Sequence, residues 1–99
     1  MSALDDVRLE RERQVSVEGW SAAHDAAHSS GELALAGSCY ALVAGVSDAE
    51  RSSLVSVFPP RWPWSPSWWK PKDRRRDLVR AAALIVAELE RMDAESSSS

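Results

Sequence analysis

The sequence predicts an all-α protein, a small bundle of three main helices with a Pro/Trp-rich irregular segment packed on it. Three observations carry this. Two stretches, Glu32 to Gly45 and Arg74 to Asp93, are strong helix formers with apolar residues at helical spacing. A third, Leu4 to Glu18, has helical composition with a thinner apolar side. The one strand-like run, "LVSVF", has no partner with which to form a sheet.

The first helix, "LDDVRLERERQVSVE", begins with Asp5 and Asp6 at the positive end of its dipole. Leu4, Val7 and Val15 form its apolar stripe, with Arg11 and Gln14 on the same side. Two readings stand: a fraying surface helix, or a helix that points Arg11 and Gln14 into a polar pocket. Gly19 is the expected stop, with Trp20 anchoring the chain behind it.

"SAAHDAAHSSG" is a loop of small residues, and Ser29 with Glu32 has capping-box spacing for the second helix. That helix, "ELALAGSCYALVAG", carries no charge after Glu32 and is expected to be buried on most sides. Leu35, Cys39, Leu42 and Val46 form its expected stripe, with Leu33, Ala36, Tyr40 and Val43 as flanks. Next, "SDAERSSL" fits a short helix capped by Ser47, and "LVSVF" reads as extended chain or a helix end. Pro59, Pro60, Pro63, Pro66 and Pro71 exclude long regular elements beyond it, although Pro66 suits the start of a single turn. Asp73 caps the last helix, for which Leu78, Ala82, Ile85, Leu89 and Met92 form the expected inner stripe. "AESSSS" is expected to be a disordered tail. The domain reading is one helical domain over 4–93 and a tail over 94–99.

The chain is 99 residues long, which allows one domain and a modest core. Cys39 is the one cysteine and is expected to be a buried, inert thiol. No apolar run reaches the ~18 residues of a membrane span, and the acidic N-terminus is unlike a secretory signal. These features suggest a cytoplasmic protein with no membrane partner.

The net charge of −3 conceals an asymmetry. Arg61 to Arg80 holds seven basic residues against two acids, a net +5, so the rest carries −8. A local basic patch on an acidic chain suits a small anionic ligand better than long nucleic acid. Four of the five tryptophans lie in the same region. They serve either as core closers or as stacking platforms for a flat ring. Lys70, Lys72, Arg74, Arg75, Arg76 and Arg80 line either a solvated face or an anion site at a helix start. His24, His28 and Glu32 are spaced four apart, with Asp25 adjacent. They read as a metal site, as a polar cluster tying the loop to the core, or as donors to phosphate or ribose. No ligand set is complete, so no metal or cofactor is assigned. The sequence contains no Gly-rich phosphate loop, HExxH or CxxC, and Glu88 and Glu90 do not share a helix face.

The segments "ERERQVSVEGW", "HDAAH", "GELALAGSCYAL", "WPW" and "WWKPKDRRRDLVRAAALIVAELERM" together resemble a family of small phage and prophage proteins. The resemblance runs from about Arg8 to Asp93 and implies a context more than a mechanism. Gly19, Trp20, Asp25, His28 and the Arg75–Arg76 region are also similar to ryanodine-receptor repeat domains. That likeness implies binding of a cyclic-ADP-ribose-like signal. Finally, "ER.RQ", "GELA" and "DLV.AAALIVAELER" resemble MazG-type all-α nucleotide pyrophosphohydrolases. Those enzymes hold Mg²⁺ with paired acids; here Glu32 stands alone, and Asp77 has Arg80 and Ala81 at helical spacing.

The leading expectation is therefore a phage-encoded accessory binding module for a nucleotide-like phosphorylated ligand, acting by sequestering a nucleotide immune signal. Its candidate site comprises Arg11, Gln14, Trp20, His24, Asp25, His28, Trp64, Trp69, Lys70, Arg75 and Arg76. Trp20 or Trp64 would stack the base, and the histidines, Lys70, Arg75 and Arg76 would hold phosphates. One alternative is a protein-interaction or inhibitor module aimed at a host protein through exposed Trp and Arg. The other is a divergent all-α pyrophosphohydrolase. Homo-oligomerisation through the last helix is compatible with the binding and the interaction readings.

Overall fold

The computed structural model describes residues 2–16 and 31–98. Its helices are α1 (Ala3–Ser16), α2 (Glu32–Gly45), α3 (Asp48–Ser56) and α4 (Arg74–Ser98), with one 3₁₀ turn at Pro66–Trp68. No strand occurs among the described residues. The all-α expectation holds: three long helices, one short one and an irregular Pro/Trp segment. Gly19, Trp20 and the His-containing loop lie outside the described residues.

Local signals set most of the boundaries. The Ser47 hydroxyl accepts the Glu50 N–H at 3.3 Å and starts α3. Asp73 accepts the Arg76 N–H at 2.9 Å and starts α4. The strand-like run is a helix end, since α3 continues to Ser56 and Val57 leaves it in extended conformation. At its far end α4 runs to Ser98, past Asp93 and into the expected tail. No glycine or proline follows Pro71, and Arg91 pairs with Glu95 one turn on at 2.6 Å, so nothing stops the helix earlier.

α2 and α4 run antiparallel. Arg74, at the start of α4, donates to the carbonyls of Ala44 and Val46 at the end of α2, both at 2.7 Å. Gly37 faces Ala81 and Ile85 further along; a Cβ there would lie 3.2 Å from the Ala81 oxygen. The core comprises Leu33, Ala36, Cys39, Tyr40 and Val43 of α2, with Ala81, Leu84 and Ala87 of α4. Burial pushes the Cys39 thiol above its ordinary pKa, as expected of an inert thiol.

Both expected apolar stripes are wrong by part of a turn. Of the expected α2 row only Cys39 is in the core; the flank Leu33, Ala36, Tyr40 and Val43 fills the rest, and Leu42 is about half exposed. In α4 the row Leu78, Ile85, Leu89 and Met92 is about half exposed, while Asp77, Arg80, Ala81, Leu84 and Ala87 are buried. The physical reason is common to both. These helices are apolar around most of their circumference, so hydrophobicity alone does not orient them. Small residues that permit close approach and polar groups that need partners decide which face turns inward.

The Pro/Trp segment closes the open end of this pair. Trp62 and Trp69 are buried against Tyr40, with ring centroids 5.7 Å and 4.7 Å from it. Each indole N–H has an acceptor: Ser65 O for Trp62 at 3.0 Å, Leu54 O for Trp69 at 2.7 Å. Two tryptophans therefore complete the core in satisfied geometry.

Candidate functional site

α1 docks on α4 through polar groups. Its buried residues are Glu10 and Gln14, one turn apart on one face. The rest of its inward side is too polar for an apolar seam, and a buried carboxylate requires cationic partners. α4 supplies two of them, Arg76 and Arg80, themselves one turn apart.

Glu10 is the hub. Arg13 donates to both of its oxygens, at 2.8 and 2.9 Å. Arg76 reaches Oε1, and Arg80 Nε stands 3.7 Å from Oε2. Gln14 donates its amide to Oε2 at 3.3 Å. Burial by itself would raise the Glu10 pKa. The Arg13 hydrogen bonds and the charges of Arg13, Arg76 and Arg80 outweigh it and hold the carboxyl below the usual value.

Two buried atoms of this cluster lack hydrogen-bond partners, Gln14 Oε1 and Arg80 Nε. A buried polar atom without a partner costs about 1–3 kcal/mol. Arg76, at the edge of the cluster, keeps one-third of its side chain open to solvent.

Arg80 also joins the cluster to the Trp segment. Its Nη1 donates to Lys70 O at 2.8 Å and to the Tyr40 hydroxyl at 3.3 Å. That hydroxyl accepts the Lys70 N–H at 3.1 Å, and the guanidinium lies over the Tyr40 ring at 5.2 Å. Tyr40, Lys70 and Arg80 thus fasten the segment across the α2–α4 pair.

The basic run is largely committed to structure. Arg74 ties the end of α2 and also pairs with Asp48 at 2.7 Å. Arg75 is mostly exposed and pairs with Asp6 at 2.6 Å. Asp77 is buried and accepts from the Lys72 N–H at 2.8 Å and from Arg51 at 2.9 Å. With both oxygens engaged, it is unsuited to the second carboxylate of a pyrophosphohydrolase metal site. Among the described residues no His, Cys, Asp and Glu group is arranged to hold a metal ion.

Of the expected site residues, Gln14 and Arg76 come together at Glu10. Arg11 instead pairs with Glu90 at 2.8 Å. Trp69 is a correction: its ring is inside the core, so it cannot stack a ligand. Trp64 packs edge-on against Trp62 at 5.5 Å, partly buried. Lys70 is exposed, its ammonium 5.7 Å above the Trp68 ring. Trp20, His24, Asp25 and His28 lie outside the described residues, so their convergence on Arg76 stays an expectation. Glu10 and Arg13 were not expected here, and Arg80 was expected only as one of the basic residues of the helix start. Their signal is the pairing of Glu10 with Gln14, and of Arg76 with Arg80, at four-residue spacing, hidden by the alternating charges of "RLERER".

Among the described residues, no helix is long and apolar enough to cross a membrane. Comparison with known proteins finds no matching family model, no matching curated protein and no matching solved structure.

Proposed function

We propose that this chain is a binding module for a nucleotide-like, phosphorylated small molecule, and that the α1–α4 seam at Glu10 is its site. The observation that carries the reading is the buried Gln14 Oε1, which accepts no hydrogen bond, beside a solvent-open Arg76. Buried polar atoms ordinarily have partners, so an orphaned acceptor next to cations fits a ligand that brings both a donor and an anion. Gln14 Oε1 would accept from a ribose hydroxyl or a base amino group. Arg76 would turn from Glu10 to a phosphate and bind it through two N–H groups. Glu10 would keep Arg13 and Arg80, so this exchange would not strand its charge. Together with the resemblance to phage proteins, this supports a counter-defence role in which a nucleotide signal is sequestered rather than converted.

The test is a thermal-shift panel of nucleotides and cyclic ADP-ribose isomers on the wild-type chain and on Arg76→Ala. A ligand at a hundredfold excess over Kd stabilises by about 2.7 kcal/mol, about 10 °C or more in a domain this small. The expected result is one such shift, lost in Arg76→Ala. A panel that leaves the wild-type melting point unmoved overturns the reading.

A second reading, a protein-interaction module, is favoured by Trp68, which is nearly half exposed. Capture of a host protein that is lost in Trp68→Ala would support it over ligand binding.

A further inference from the structure

The Gln14 amide is held one way round. Its side chain is wholly buried, and its amide nitrogen donates to Glu10 Oε2 at 3.3 Å. Glu10 is bound by Arg13 and Arg76 and stands 3.7 Å from Arg80, so it is an ionised carboxylate that can only accept. Turning the amide over would set oxygen against oxygen. Glu10 therefore fixes the orientation of Gln14, and the amide oxygen is left as an acceptor with no donor. What Gln14 can read in a ligand is a donor and nothing else.

The cations lie further out. Arg13 and Arg76 each keep about one-third of their side chains open to solvent. A phosphate held there stays at the wet rim, while the group that reaches Gln14 enters a buried position, which favours a small neutral donor. The two recognition points are also close. One carboxylate and one amide separate Arg76 from Gln14 Oε1, a span of at most about 10 Å with ordinary hydrogen-bond lengths. In a nucleotide the sugar hydroxyls sit on the ring that carries the phosphate. A base amino group lies beyond it, at the outer edge of a flat ring that needs a surface to stack on. Tyr40, which reaches the cluster through Arg80, is no such surface: it is buried, with its ring under the Arg80 guanidinium and against Trp62 and Trp69. We propose that Gln14 is the specificity-determining residue of the site, that it accepts from a sugar hydroxyl, and that the ligand is a ribonucleotide read through its phosphosugar and not its base. This assignment rests on the nucleotide-binding reading above. An acceptor left unpaired in the folded chain gains its bond only from a ligand that brings the donor, so the hydroxyl is expected to be worth about tenfold or more in affinity.

Calorimetry on the full chain with AMP, IMP and the 2′-deoxy and 3′-deoxy forms of AMP tests it. AMP and IMP share the phosphosugar and differ at the base amino group. They are expected to bind the wild-type chain alike, and at least one deoxy form is expected to bind about tenfold more weakly. Gln14→Met, similar in volume but without the acceptor, is expected to keep its helical circular dichroism and to bind AMP no better than that deoxy form. AMP binding more tightly than IMP, with both deoxy forms matching AMP, would make the base amino group the donor and overturn the assignment. Deoxy forms and IMP that all match AMP, or a deoxy penalty that survives in Gln14→Met, also overturn it. The wild-type comparison decides even where Gln14→Met does not fold. A chain that binds another nucleotide of the panel but neither AMP nor IMP overturns the assignment and leaves the binding reading standing. A chain that binds none of them overturns both.

Discussion

Arg51 and Asp77 form a 2.9 Å ion pair with the carboxylate wholly buried. The same guanidinium donates to Val43 O at 2.9 Å and to Lys72 O at 2.8 Å. One arginine on the short helix α3 therefore joins the end of α2, the chain entering α4 and the first turn of α4 itself. Removing one partner of a buried pair costs about 3–5 kcal/mol, because the other charge is left stranded. Asp77→Asn is expected to destabilise at the lower end of that range, and Arg51→Ala in the middle of it. Arg51→Lys is expected to rescue little, since a single ammonium cannot span three acceptors. Urea denaturation of the three variants checks the order.

Glu10 makes a prediction about acid. Its folded pKa lies below the ordinary 4.5, so the folded state binds the carboxylate form preferentially. The stabilisation is complete above the unfolded value and is lost as pH falls through the folded one. Glu10→Gln is expected to lower stability by about 3 kcal/mol at pH 7 and by much less in acid below the folded pKa. Chemical denaturation at both pH values measures the difference; a penalty independent of pH would show that packing, not charge, is what Glu10 supplies.

Gly37 sets two effects against each other. Alanine in mid-helix is favoured over glycine by about 1 kcal/mol. Against this, its Cβ would sit 3.2 Å from the Ala81 carbonyl oxygen and 3.3 Å from Ile85 Cγ1. The Ile85 end can shift outward, but the backbone oxygen cannot. Gly37→Ala is expected to change stability by less than about 1 kcal/mol, and Gly37→Leu to cost about 3 kcal/mol or prevent folding. Melting temperatures of the two variants decide it.

Trp69 separates core from ligand roles. Trp69→Phe keeps an aromatic ring but leaves Leu54 O without its indole donor, which costs about 1–3 kcal/mol. Trp69→Ala is expected to cost about 3–5 kcal/mol. Nucleotide affinity of the folded Trp69→Phe variant is expected to match wild type, measured by calorimetry.

The helices themselves were legible. Ser47, Asp73 and Pro66 announce their elements through hydrogen bonds and a fixed φ that act within a few residues. The candidate site was legible only in part: Gln14 and Arg76 could be named, but not the carboxylate between them. Glu10 sits in a run where charges alternate at every step, and nothing local separates a solvated glutamate from one enclosed by three arginines. Arg51 is a similar case, an unremarked basic residue whose acceptors lie 8, 21 and 26 residues away.

Composition and short-range chemistry determine that this chain makes helices, roughly where they begin, and that four tryptophans precede the last one while a cluster of arginines opens it. The tertiary structure decided which face of each apolar helix turns inward and whether each cation serves the fold or stays available. Those choices turn on close approach at Gly37 and on partners for Glu10 and Asp77. Such groups meet only once segments distant in sequence are packed, because a buried charge is tolerable only where its counter-charge arrives with it.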